Sequence, residues 1–174
     1  WKIGQAHVLE LLSGLAGLQT TLAFEVLLVH PKGDVIAERL TKTTRGLRAL
    51  PVVPSAQYGE RVRAALDAAT GDWMLLASTP YITPTDWVKL LLETAQRIPS
   101  TGAVCAKVVG RDGALIHAGG IRCQDGQYKV IGMGDDPEAP EYNFVREVDI
   151  GSQSCLLLNR KAMQEADFRS VSSA

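Results

Sequence analysis

The sequence predicts an α/β protein, and three observations carry that expectation. Short apolar runs such as FEVLLV (24–29) and WMLLA (73–77) have the continuous hydrophobicity of strands buried on both faces. Between such runs lie stretches whose apolar residues recur every three or four positions, the period of an amphipathic helix. Helices and strands alternate through the first two thirds, which predicts a parallel sheet with helices on both faces, and the last third turns to antiparallel pairs. The expected architecture is therefore three-layer α/β/α around a mixed, mainly parallel sheet.

The elements follow in order. Val8, Leu11, Leu12, Leu15 and Leu18 recur at helical spacing and predict a helix over about 5–20. FEVLLV is the first strand and ends at HPKGD; a weak helical pattern with basic residues covers 35–50, and LPVVP (50–54) is a short strand closed by proline. Residues 59–70 form a helix with Val62, Ala65, Leu66 and Ala69 on one face, and Gly71 is placed to stop it in the left-handed conformation. After WMLLA, Thr83, Pro84 and Asp86 read as an N-cap, a first-turn proline and a first-turn acid. The helix they open runs to about Ile98, with Trp87, Leu90, Leu91 and Thr94 facing inward. GAVCAKVV (102–109) is a strand, GRDG (110–113) a turn, and ALIHAGG its antiparallel partner. QYKVIG (127–132) is a further strand, MGDDPEAPE an acidic loop, and VDIGSQSCLLLNR a final strand that leads into a helix from about Arg160.

The chain has 174 residues, which suits one domain, and the expectation is a single domain over 1–174, cut from a longer chain because Trp1 replaces an initiating Met and FRSVSSA trails off. A formal net charge of −1 supplies no electrostatic footprint for nucleic acid or an anionic membrane. No apolar run approaches the ~20 residues that span a bilayer. The three cysteines, Cys105, Cys123 and Cys155, are scattered without zinc-type spacing. Cys105 and Cys155 lie in apolar runs and read as small core residues of a reducing compartment, so the cytoplasm is the expected location.

Three segments in this order carry a family resemblance: ALDAATGDW before the WMLLA strand, GAVCAKVVGRDGALIHAGG, and GSQSCLLLNR. Together they resemble family 2 glycosyltransferases of the GT-A fold, in the bacterial rhamnosyltransferase and O-antigen-type branch. The matching positions are Ala69, Gly71, Asp72 and Trp73, then Gly102, Ala103, Val104, Ala106, Lys107, Asp112, Gly113, Ile116, His117, Ala118 and Gly119, and finally Cys155, Leu156, Leu157 and Arg160. The resemblance covers about 5–168. It implies a nucleotide-activated sugar donor, a glycan acceptor, inverting displacement at the anomeric carbon, and Mg²⁺ or Mn²⁺ where the family chemistry is retained. A diphosphate leaving group needs its charge neutralised, which a carboxylate-held metal does, and a carboxylate beside the acceptor hydroxyl takes its proton.

The sequence also departs from that pattern. The family's metal-binding acidic turn falls on Ser78, Thr79 and Pro80; a hydroxyl replaces a carboxylate poorly and proline offers no side-chain ligand. The acid expected at the end of the first strand is His30, although Asp34 matches a later acid of the same loop. Arg63 and Ala65 stand where asparagine and glycine are expected, and ADFRS replaces the segment near the acceptor site. No cofactor is evident from the residues alone. Three side chains remain as candidate contacts with nucleotide or sugar. Asp34 is one, with turn or cap chemistry as the alternative. His117, polar between apolar neighbours, is another, with a hydrogen-bonded structural histidine as its alternative. Lys107 enters through the resemblance. Asp72 is read as a cap or half of a buried ion pair, and GMGDD (132–136) as a solvated loop rather than an anion cradle. Function thus divides between a nucleotide-sugar-dependent transferase and a non-catalytic GT-A-like domain that binds a glycan, a partner protein or a neighbouring domain.

Overall fold

In chain order the elements are α1 (Gln5–Ala16), β1 (Val26–Pro31), α2 (Val35–Thr43), β2 (Leu47–Val52), α3 (Tyr58–Ala68), β3 (Trp73–Ala77), α4 (Trp87–Arg97), β4 (Ala103–Cys105), β5 (Val108–Val109), β6 (Leu115–His117), β7 (Gly120–Arg122), β8 (Tyr128–Val130), a 3-10 turn (Pro140–Tyr142), β9 (Cys155–Asn159) and α5 (Arg160–Glu165). They come from a computed structural model that describes residues 5–17, 21–77 and 86–166. The protein is mixed α/β. The Ser78–Thr79–Pro80 turn and the Thr83–Pro84 helix start lie outside the described residues, as do Leu18 and most of ADFRS.

Contacts divide the chain into two units, one of Trp1–Leu18 with Leu75–Leu157, the other of Gln19–Met74 with Leu158–Ala174. The second unit holds the parallel pair. β1 and β2 run side by side from Val26↔Leu47 to Pro31↔Val52, joined by α2, and α2 and α3 pack on them. A parallel pair needs a crossover, and α2 is short enough to supply one because Gly46, at φ 81, turns the chain straight back into β2. The basic stretch 35–50 is thus a helix followed by a strand, and the strand read at 50–54 begins at Leu47. α3 buries Val62, Ala65 and Leu66 as its spacing requires, with Leu66 only 2% exposed. Its end differs from expectation. The cap is Ala69, which leaves in an extended conformation with its N–H on the Ala65 carbonyl, so Gly71 is not the stop.

An exposed network ties the strand entrance of this unit together. Glu25 accepts from the Thr70 N–H at 2.8 Å and hydroxyl at 2.7 Å, while Arg48 pairs with its other oxygen at 3.0 Å. The Thr70 bonds, then Arg48, hold the Glu25 carboxyl below its ordinary value. Arg160 donates its N–H to the Asp72 carbonyl and its Nε to the Gly71 carbonyl, so the main chain at Asp72 carries the contact; the side chain is exposed rather than buried in an ion pair.

The first unit is built from small antiparallel pieces. The strand expected over 102–109 is two strands, β4 and β5, with Ala106 and Lys107 between them. β5 pairs antiparallel with β6 and β7 with β8, while β9 stands between β3 and β4. The antiparallel partnership expected for ALIHAGG therefore holds. Among the described residues one pair with a defined register is parallel and two are antiparallel. Leu115 is buried to 1% exposure, and Cys155 is in the core while Cys105 and Cys123 are half-buried. On α4 the buried positions are Leu91 and Ala95, whereas Leu90 is 46% exposed. The stripe expected through Trp87, Leu90, Leu91 and Thr94 is rotated because WVKLLLET carries apolar residues around more than one face.

These packing differences set stability. Leu66→Ala and Leu115→Ala should each lower the unfolding free energy by about 2–5 kcal/mol. Leu90→Ala should change it by less than about 1 kcal/mol. Urea midpoints at unchanged slope measure all three.

Candidate functional site

Of the three side chains singled out from the sequence, Lys107 and His117 come together at one end of the β5–β6 hairpin, where Val108 pairs with His117. Asp34 belongs to the other unit.

Lys107 sits where β4 gives way to β5, half-buried, and its ammonium reaches the acidic loop. Nζ donates to the Pro137 carbonyl at 2.6 Å and to Asn143 Oδ1 at 2.7 Å. The Asn143 amide in turn donates to the Pro137 and Ala139 carbonyls at 3.1 and 2.9 Å. Two of the three ammonium protons are thereby spent inside the protein. The Tyr142 hydroxyl donates to the Asp135 carboxylate, and that bond raises the phenol above its ordinary value. Gly134 N–H to Leu115 O at 2.8 Å and Leu115 N–H to Asp135 O at 3.0 Å dock the loop on β6. Gly132 is indispensable to this docking. At φ 76 it lies in the left-handed region, and a Cβ there would come within 2.4 Å of Leu115 Cδ2 and 2.8 Å of Tyr142 Cε1. The loop is solvated, as expected, and its aspartates are engaged in its own turns: Asp136 accepts from the Glu138 N–H at 2.9 Å.

His117 is half-buried at the end of β6, and its Nδ1 accepts the Gly119 N–H at 2.9 Å. That bond assigns the tautomer: Nδ1 holds the lone pair and Nε2 carries the proton. Burial lowers the His117 pKa from its ordinary 6.5. Gly119, at φ 95, is required by the same turn, since a Cβ would stand 2.4 Å from Val148 Cγ1. The histidine therefore closes a local turn, and its Nε2–H remains as a donor.

In the parallel unit the C-terminal end of β1 runs through His30 and Pro31 into Lys32–Gly33–Asp34. Gly33 turns at φ 86, and Asp34 caps α2 by accepting from the Ile36 and Ala37 N–H groups at 3.0 and 3.1 Å. His30, which the sequence marked as a departure from the family acid, is 4% exposed. Its Nδ1 lies 3.0 Å from the Pro31 carbonyl, to which it donates, and its Nε2 is enclosed without a hydrogen-bond partner among the described residues. Sequence reasoning did not foresee that burial. The one signal was a histidine within an apolar strand. Nor did it foresee Tyr142, Asn143 or Arg146, whose guanidinium stacks 4.3 Å from the Phe144 ring centre; nothing local marks these residues.

The buried Cys155 thiol is pushed up to about 11 by desolvation, then by nearby Cys105, and desolvation raises the half-buried Cys105 as well, so both favour the protonated thiol. Among the described residues no three His, Cys, Asp or Glu side chains gather to hold a metal ion, and no helix is long and apolar enough to cross a membrane. The chain matches no protein-family model, no curated protein and no solved structure.

Two measurements probe these assignments. Lys107→Met should cost about 1.5–3 kcal/mol, the worth of hydrogen bonds to a charged group, and should speed amide exchange across residues 132–147. For His117 the folded form binds its proton less well than the unfolded chain. Its stability contribution is full above pH 6.5 and is lost as pH falls through the lowered folded value. Urea midpoints at pH 7.5 and pH 5 should show this decline. His117→Asn, which keeps an acceptor for the Gly119 N–H but does not titrate, should flatten it.

Proposed function

We propose that this chain is a GT-A-type domain of the family 2 glycosyltransferase kind, which receives a nucleotide-activated sugar and serves its transfer to a glycan acceptor. The observation that carries the reading is the β1–α2–β2 unit in which Gly33 and Asp34 stand at the C-terminal end of a parallel strand. Open α/β sheets bind their ligands at that edge. The three sequence segments in family order support the same reading, as does the placement of Lys107 and His117 on one hairpin end. A three-layer GT-A fold with a mainly parallel sheet is part of this proposal. Mg²⁺ or Mn²⁺ would neutralise the diphosphate where the family chemistry is retained. Asp34, Lys107 and His117 are the candidate contacts.

A second reading, a non-catalytic GT-A-like scaffold for a glycan or a neighbouring protein, is favoured by specific observations. Ser78, Thr79 and Pro80 stand in place of the metal-holding acids. Asp34 and Lys107 already direct their polar atoms at their own backbone and loop.

Calorimetric titration of the chain with a panel of nucleoside diphosphate sugars, with and without Mn²⁺, separates the two. Metal-dependent micromolar binding is the expected result for the transferase reading, and absence of binding across the panel overturns it. Asp34→Asn sharpens the test because asparagine caps a helix as well as aspartate does. The variant should keep its urea midpoint within about 0.5 kcal/mol. It should also bind the nucleotide sugar at least roughly tenfold more weakly, which is about 1.4 kcal/mol.

A further inference from the structure

No further inference is drawn: the strongest candidate, the surface patch of exposed Met133, Phe144 and Val145 side chains on the acidic loop between β8 and β9, carries nothing because nothing in the structure shows what covers it.

Discussion

The ammonium of Lys107 is the contact on which the architecture of the first unit depends. Between Val130 and Cys155 the chain runs 24 residues, with a single 3-10 turn as its only helical element. A connection of that length is entropically expensive to hold in one conformation. Lys107 reaches its middle and bonds both the Pro137 carbonyl and the Asn143 amide oxygen. Asn143 relays the constraint to Ala139, and Tyr142 relays it to Asp135. Gly132 then lets the loop close onto Leu115, the most deeply buried side chain among the described core residues. Lys107 makes these bonds from the break between β4 and β5, where it follows Ala106.

The parallel unit rests on shorter-range devices. Asp34 satisfies two of the free N–H groups at the start of α2, and Gln57 with Glu60 forms a reciprocal capping box at the start of α3. Helices this short are marginal by themselves, so the caps and the apolar faces laid on β1 and β2 act together. At the far ends of the strands Glu25 joins Arg48 and Thr70, which gathers the entrance to β1, the start of β2 and the exit of α3. The C-terminal strand edge of this unit thus carries Asp34, a residue that already has a structural duty, and this shapes both functional readings. A nucleotide bound there would meet Asp34 as a cap that also carries a charge, not as a free acid.

Legibility followed the range of the interaction. The face of α3 was readable because Val62, Ala65 and Leu66 repeat at helical spacing amid charged residues. The face of α4 was misphased because Trp87, Val88, Leu90, Leu91 and Leu92 present apolar surface in several directions, and only the packing against β4 selects Leu91. Gly71 had the composition of a helix stop, yet α3 ends two residues earlier, where Ala69 extends toward the bonds that Glu25 makes with Thr70. At the candidate site the geometry gives Asp34 a cap on α2 and His117 a hydrogen bond that closes its own turn.

By itself the sequence determined the α/β class, the existence and approximate extent of most elements and the solvated character of the acidic loop, and it offered a cap as one of two readings of Asp34. All of these rest on forces acting within a few residues: side-chain periodicity, backbone N–H groups seeking an acceptor two or three positions away, and glycine's access to positive φ. Tertiary structure alone decided that Lys107 is a strut of the loop, that His30 is enclosed, and that Tyr142 and Asn143 hold the loop closed. A lysine carries three donors and no local preference, so its partners are whichever carbonyls the fold brings within 3 Å; here they lie 30 and 36 positions along the chain. Burial of a histidine is likewise a property of what packs over it, and no neighbour in sequence specifies that.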